Sequence, residues 1–412
     1  MRIPTQELLR IGRYRLLLFV LLMLPLVYLP SGCANDSNAE QGEPSKKNSQ
    51  GNSEDTESAS GSGNVGTTQA SGSKGGKAEN KKTQANKGSV TPEAVKGLYV
   101  PGYEVEEKLK SLLKIADETE INALVVDAKD AGVTTYQSEV PLAKEIGATT
   151  DYISDPKALV DELHENNVYA IARIAVFQDD VLANKRPDLA VKSSATGEPW
   201  LTFQGAAWTN AYRKEVWEYN VAIAKEAAEA GFDEIQFDYV RFPSDGPMAE
   251  LSYGEETFPT QEETIAGFLE YAHGELEPTG AQVSADVFGL VGVNDEVGVG
   301  QVVSMMAPHL DVICPMVYPS HYPAGSYGYD NPDAYPYEIV DYAMEDFKTK
   351  SRRVNPDIEI RPWLQDFEYI SDYGPEEVKA QMKATYDSDL TGWILWNAAS
   401  QYTTSVLQKE NQ

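Results

Sequence analysis

The feature that most constrains this chain is a strand–helix alternation repeated eight times. Short apolar runs fall at residues 96–100, 123–130, 169–177, 234–243, 282–289, 310–319, 358–366 and 392–398. Amphipathic stretches lie between them, among others at 105–117, 156–167, 213–230, 261–277 and 375–387. Parallel strands need a crossover, and a helix supplies it. Asp155-Pro156 reads as a helix cap followed by a first-turn proline, and Gly231 as a helix stop. Eight such units predict an α/β fold, one (β/α)8 TIM-type barrel over residues 93–412. The rival topology is a doubly wound open sheet. It wants a Gly-rich phosphate turn after its first strand, and Pro101-Gly102-Tyr103 is not one.

A barrel of this kind keeps its chemistry at the carboxyl ends of the strands. Polar and aromatic residues gather there: Tyr99 on the first strand, Asp127 and Asp130 on the second, Asp238 on the fourth, and Asp286 on the fifth. Tyr318 ends the sixth, Gln365 and Asp366 the seventh, and Trp396 and Asn397 the eighth. In the fourth run, alternation sets Asp238 and Gln236 on the face opposite Ile235 and Phe237.

Cleaving a glycosidic bond needs two carboxyl groups flanking it, one to protonate the leaving oxygen and one to attack or to activate water. Asp238 is expected as nucleophile or base and Asp286 as proton donor, with the roles open to exchange. Asp127 is the third catalytic candidate; its structural alternative is a salt bridge to Lys129 or Arg173. Arg173 sits between strands two and four and is placed to hold Asp238 ionised. Arg241 either bonds a sugar hydroxyl or locks its loop. Asp366 falls on the opposite face from Gln365 and Trp363, and Glu234, at the wrong end of its strand, reads as structural.

Sugar rings stack their C–H faces on aromatic side chains. Tyr99, Trp208, Tyr318, Tyr322, Trp363 and Trp396 are candidates for that platform, with His321 and Gln365 as polar contacts. The four histidines, His164, His273, His309 and His321, have no metal-ligand spacing, and no Gly-x-Ser-x-Gly elbow occurs. No metal or cofactor is expected. Cys314 lies in an apolar run and reads as a core thiol.

The front of the chain reads as export machinery. Residues 1–33 pair a start bearing Arg2, Arg10, Arg13 and Arg15 with an apolar run ending in Leu29-Pro30-Ser31-Gly32-Cys33. This resembles a bacterial lipoprotein signal in which Cys33 becomes the lipidated terminus; the alternatives are an uncleaved anchor or ordinary secretion. Residues 34–92, rich in Gly, Ser, Asn and Lys, lack the apolar surface to offset their ordering entropy and read as a disordered linker. The expected location is the extracellular face of the cell membrane, lipid-anchored or secreted. Of the net charge of −30, the signal contributes +3 and the linker cancels, leaving −33 on residues 93–412. That acidity disfavours nucleic acid and polyanionic sugars as partners. A monomer acting on a polysaccharide or oligosaccharide is expected.

Several segments resemble a family of bacterial glycoside hydrolases, exported barrel proteins mostly without assigned substrates. They are Asn122-Ala-Leu-Val-Val-Asp-Ala-Lys-Asp130, Lys185-Arg-Pro-Asp-Leu-Ala-Val191 and Gly231-Phe-Asp-Glu-Ile-Gln-Phe-Asp-Tyr-Val-Arg-Phe-Pro243, then Pro315-Met-Val-Tyr-Pro-Ser-His-Tyr322, Arg361-Pro-Trp-Leu-Gln-Asp366 and Gly392-Trp-Ile-Leu-Trp-Asn397. The resemblance spans roughly Lys96 to Thr403. It implies a barrel fold and hydrolysis of O-glycosidic bonds. The family is similar to α-amylase-like barrels in carrying an aspartate at the end of strand four, which matches Asp238. In that wider group the strand-five acid is typically Glu, where this chain has Asp286. The competing expectation is a barrel that keeps the cleft as a carbohydrate-binding or scaffold lipoprotein.

Overall fold

The computed structural model describes residues 92–254, 259–295 and 297–408. The signal at 1–33, the linker at 34–92 apart from its last residue, and lipidation at Cys33 lie outside them. Eight parallel strands close into a barrel: β1 (Lys96–Val100), β2 (Ala123–Asp130), β3 (Tyr169–Ala175), β4 (Glu234–Asp238), β5 (Gln282–Phe288), β6 (Val312–Met316), β7 in two pieces (Glu359–Ile360 and Trp363–Gln365) and β8 (Trp393–Trp396). Closure comes from β1, which pairs with β2 at Gly97↔Ala123 and with β8 at Lys96↔Trp393. The predicted barrel is the observed fold.

Helices α1 (Val105–Glu118), α2 (Pro156–Glu165), α3 (Lys214–Ala230), α4 (Gln261–Leu276), α5 (Pro336–Arg352) and α6 (Pro375–Asp387) pack around it. Their starts are written locally. The Asp155 side chain accepts from Ala158 N–H with Pro156 in the first turn of α2. Thr260 and Glu263 form a reciprocal capping box on α4. Gly231 closes α3 at φ 111°, a conformation that disfavours any side chain.

Apolar packing splits into two compartments. Between strands and helices lie Leu98, Leu124, Val126, Ala172, Ile174, Ile235 and Phe237, with Phe237 and Phe268 of α4 edge to face at 5.3 Å. Inside the barrel lie Ala123, Val125, Tyr169, Ile171, Val312, Cys314, Trp363 and Ile394. Below the carboxylate layer, Arg361 Nη1 pairs with Glu234 at 2.8 Å, both fully buried, and the Ser284 hydroxyl donates to the same carboxylate at 2.6 Å. Glu234 is therefore a buried structural anion.

Strands four and three end sooner than the apolar runs suggest. Strand β4 stops at Asp238 because Tyr239 turns into the left-handed region at φ 50°. A bulky residue there is strained by about 1–3 kcal/mol. Its N–H is thereby turned onto Asp238 Oδ1 at 2.5 Å. A second irregularity, a bulge between Asp127 and Lys129 on β2, breaks their shared parity. Lys129 turns away to Asp179 at 2.8 Å and the Ala175 carbonyl at 2.6 Å, leaving Asp127 to face Arg173. Two excursions were not foreseen: strands Val133–Tyr136 and Thr149–Ile153 extending from β2, and a small pairing of Lys192–Ser193 with Leu251–Ser252 beside the mouth.

Candidate active site

Arg173, rising from β3, sits at the centre of four carboxylates at the carboxyl end of the barrel. Its Nη1 donates to Asp127 Oδ1 at 2.5 Å, and Nη2 and Nε donate to Asp238 Oδ2 at 2.5 and 3.1 Å. Asp286 Oδ2 lies 3.8 Å from the same Nε, and Asp130 Oδ1 lies 3.8 Å from Nη1. Because Asp238 and Asp286 approach one nitrogen at 3.1 and 3.8 Å, their nearest oxygens are at most about 6.9 Å apart. That ceiling admits the roughly 5–5.5 Å of a retaining pair and only the lower edge of the roughly 6.5–9.5 Å of an inverting one.

Each acid is held differently. Asp238 has both oxygens engaged, Oδ2 by Arg173 and Oδ1 by the Tyr239 N–H. Asp286 accepts from the Trp363 indole N–H at 2.6 Å through Oδ1, while Oδ2 accepts no hydrogen bond. Burial raises the Asp286 carboxyl well above the ordinary range, and the negative Asp238 raises it further. Arg173 and the Trp363 hydrogen bond oppose that rise without cancelling it. Asp127 is also pushed up, to about 7, by burial; Arg173 works against this and Asp130 with it. The Tyr99 hydroxyl donates to Asp127 Oδ2 at 2.6 Å. The mouth thus holds an ion-paired carboxylate beside one whose proton affinity burial raises, a difference that acid-assisted glycoside cleavage uses.

Aromatic rings wall one side. Trp396 stacks on Tyr99 at 6.1 Å and meets Tyr318 at 5.9 Å and Phe367 at 5.1 Å. His321 continues the wall, 5.4 Å from Tyr318 and 5.6 Å from Tyr369. Burial drops its imidazole to about 4, so the ring is neutral. On the other side the Arg241 guanidinium lies over Phe288 at 4.6 Å, Trp208 at 4.8 Å and Tyr239 at 5.3 Å. Among the described residues, no group of three or more His, Cys, Asp or Glu is placed to hold a metal ion.

Residues 97–402 match the model of a family described as "putative glycosyl hydrolase domain". The chain belongs to this glycosyl hydrolase family. Membership makes it a glycosidase, with a carbohydrate as substrate. No curated protein matches it. Among solved structures, it is similar to a hypothetical protein from Ruminiclostridium thermocellum, 41% identical over 46% of this chain and 97% of that one, TM-score 0.42. It also resembles the glycoside hydrolase domain of PgaB (BpsB) from Bordetella bronchiseptica, 12% identical over 77% of this chain and all of that one, TM-score 0.55. The second likeness speaks to the fold.

The family member's remaining candidates divide clearly. Asp127, Asp238, Asp286, Tyr99, Tyr318, His321, Trp363 and Trp396 come together around the mouth. Trp208 is 2% exposed and lies beneath Arg241. Arg241 itself donates to the Phe242 carbonyl at 3.0 Å and to Ser244 Oγ at 3.3 Å, fastening the loop after β4. Gln365 is fully buried; it accepts from the Ser320 hydroxyl at 2.8 Å and donates to the Phe367 carbonyl at 3.0 Å. It fixes the loop after β6. Tyr322 is buried, and Asp366 binds the Thr403 N–H and hydroxyl at 2.8 and 2.7 Å, anchoring the C-terminal segment. The candidate set left out Phe367, Tyr369 and Phe288. Each stands in a loop or at a strand end, where periodicity carries no signal.

Proposed function

We propose that the chain cleaves O-glycosidic bonds of an extracellular or cell-wall glycan with Asp238 as nucleophile or base and Asp286 as acid. The observation that carries this reading is one guanidinium, Arg173, holding Asp238 by a direct ion pair while Asp286 stands 3.8 Å from the same Nε with a free oxygen. In the first half-reaction Asp286 gives its proton to the departing glycosidic oxygen as that bond breaks. Asp238 supplies the electron pair at the anomeric carbon, either directly or through a water it deprotonates. As charge builds on the sugar, Arg173 and Tyr239 N–H hold Asp238 in line. In the direct route Asp286 then takes a proton from an incoming water that attacks the anomeric carbon, which breaks the bond to Asp238 and restores both groups; in the water-mediated route the water's oxygen stays on the sugar, Asp238 passes the water's proton to solvent, and solvent reprotonates Asp286. The aromatic wall from Tyr99 to His321 gives the ring a face to stack on. We further propose that residues 34–92 tether the barrel to a lipidated Cys33 at the outer face of the membrane.

A second reading, a carbohydrate-binding or scaffold barrel, draws on the 1% exposure of Asp286. A panel of neutral and amino-sugar glycans separates the two. Asp238→Asn leaves Arg173 paired with Asp127, so the variant is expected to fold, at some cost in stability, and to lose at least about 10³-fold in turnover. Unchanged turnover in that variant removes Asp238 from the mechanism, and turnover of no glycan favours the binding reading.

A further inference from the structure

Outside the mouth, the loop after β6 and the first turns of α5 assemble a cluster of tyrosines that the reaction does not use. Tyr327 stacks on Tyr342 at 5.2 Å and Tyr329 packs on Tyr335 at 4.4 Å. The two pairs adjoin, since Tyr342, Tyr335 and Glu338 all act electrostatically on the Tyr329 hydroxyl. Tyr335 and Tyr342 are 42% and 45% exposed.

The loop that presents them is built tightly. Gly325, Tyr327 and Gly328 all take positive φ, at 91°, 51° and 88°. The Gly325 N–H closes the loop on the Tyr329 carbonyl at 2.8 Å, and the Tyr327 hydroxyl is pinned to Asp346 of α5 at 2.8 Å. A tyrosine held left-handed is a strained residue kept in place by its surroundings. A buried ring links the patch to the aromatic wall. Tyr327 lies 6.0 Å from Tyr322, which directly follows His321 of the aromatic wall.

We propose that Tyr327, Tyr329, Tyr335 and Tyr342 form a second glycan-holding surface that grips a neutral polysaccharide strand leading into the mouth. This rests on the reading of the mouth as glycan-cleaving. A tyrosine ring offers an apolar face with a polar edge, which is the complement of a sugar's C–H face and its equatorial hydroxyls. An apolar protein partner or a lipid would be better met by Leu and Phe. The −33 charge of the barrel, with Glu338 and Asp346 at the patch, repels anionic membranes and anionic polymers.

The test is native affinity electrophoresis in gels cast with soluble starch, glycol chitin or galactomannan, run with wild type, Tyr335→Ala/Tyr342→Ala, Tyr335→Phe/Tyr342→Phe and Asp238→Asn. Wild type and Asp238→Asn are expected to be retarded alike in at least one gel. The double alanine variant is expected to bind about tenfold more weakly, the double phenylalanine variant to recover most of the retardation, and short oligosaccharides to be cleaved at the wild-type rate by the alanine variant. Wild type retarded in none of the gels overturns the proposal. So does an alanine variant retarded as strongly as wild type, or one whose only change is loss of a dimer by sedimentation. Retardation that needs the tyrosines in a protein that cleaves nothing sinks the catalytic reading and keeps the patch. Cleavage with tyrosine-independent retardation does the reverse.

Discussion

Arg173 Nη2 lies 2.5 Å from Asp238 Oδ2, and the two side chains are each only 11% exposed. Charge pairs this far from solvent are strongly destabilised when one partner is removed, because the other stays buried and uncompensated. Arg173→Gln is therefore expected to lower unfolding free energy by about 3–5 kcal/mol in denaturant titration. Arg173→Lys should recover part of that, because it keeps the charge but not the fork that reaches Asp127 and Asp238 together. A Gln variant as stable as wild type would mean the pair contributes nothing net.

The Trp363 indole bond to Asp286 gives a pH prediction. That bond lowers the Asp286 pKa against burial and Asp238, which raise it. Asp286 must carry its proton to act as acid, so turnover falls as pH rises through its pKa. Trp363→Phe removes a stabiliser of the ionised form, and the alkaline limb of the kcat profile should move to higher pH. In Asp286→Asn that limb should vanish, with substrates bearing good leaving groups losing least. A limb that stays put in Trp363→Phe argues that another group sets it.

Asp127 supplies a stability prediction. Its carboxyl is raised from 3.8 to about 7 on folding. Between those values the native state keeps a proton that the unfolded chain has released, so stability contributed by this group is full below about 4 and is lost as pH rises toward 7. Urea midpoints across pH 4 to 8 should show that decline in wild type and a shallower one in Asp127→Asn. An identical slope in the variant assigns the decline to other groups.

Arg361 and Glu234, paired at 2.8 Å and fully buried, lie below the reacting layer. Arg361→Met leaves Glu234 charged and unmatched apart from Ser284, and should cost about 3–5 kcal/mol in thermal or chemical denaturation. Turnover per folded molecule should change little at a temperature where the variant stays native. A variant that is fully stable yet inactive would move this pair into the catalytic layer.

Much of the fold was readable in the chain because its cues are local. The runs at 96–100 and 123–130 are strands over their whole predicted length, and residues 375–387 form α6 as expected. The run at 234–243 predicts one strand, but Tyr239 turns left-handed after Asp238. Alternation cannot register a single strained dihedral. Parity joined Lys129 to Asp127, and the bulge on β2 separated them. Gln365 carried the parity of Trp363, yet Ser320 and Phe367 claimed its amide in a buried loop. Helix α5 also carries local cues, Pro336 in its first turn and a buried apolar face.

By itself the sequence determined the barrel, the strand that bears each acid, and the strongly acidic balance of the chain. Period, capping and charge are properties of neighbouring residues and survive without knowledge of the fold. Tertiary structure alone decided that one arginine from β3 would gather Asp127, Asp238 and Asp286, that Trp363 would grip Asp286, and that Trp208 would lie beneath Arg241. Those relationships join residues tens of positions apart. They depend on barrel closure and on how deeply each carboxylate is taken from water, which no local pattern encodes.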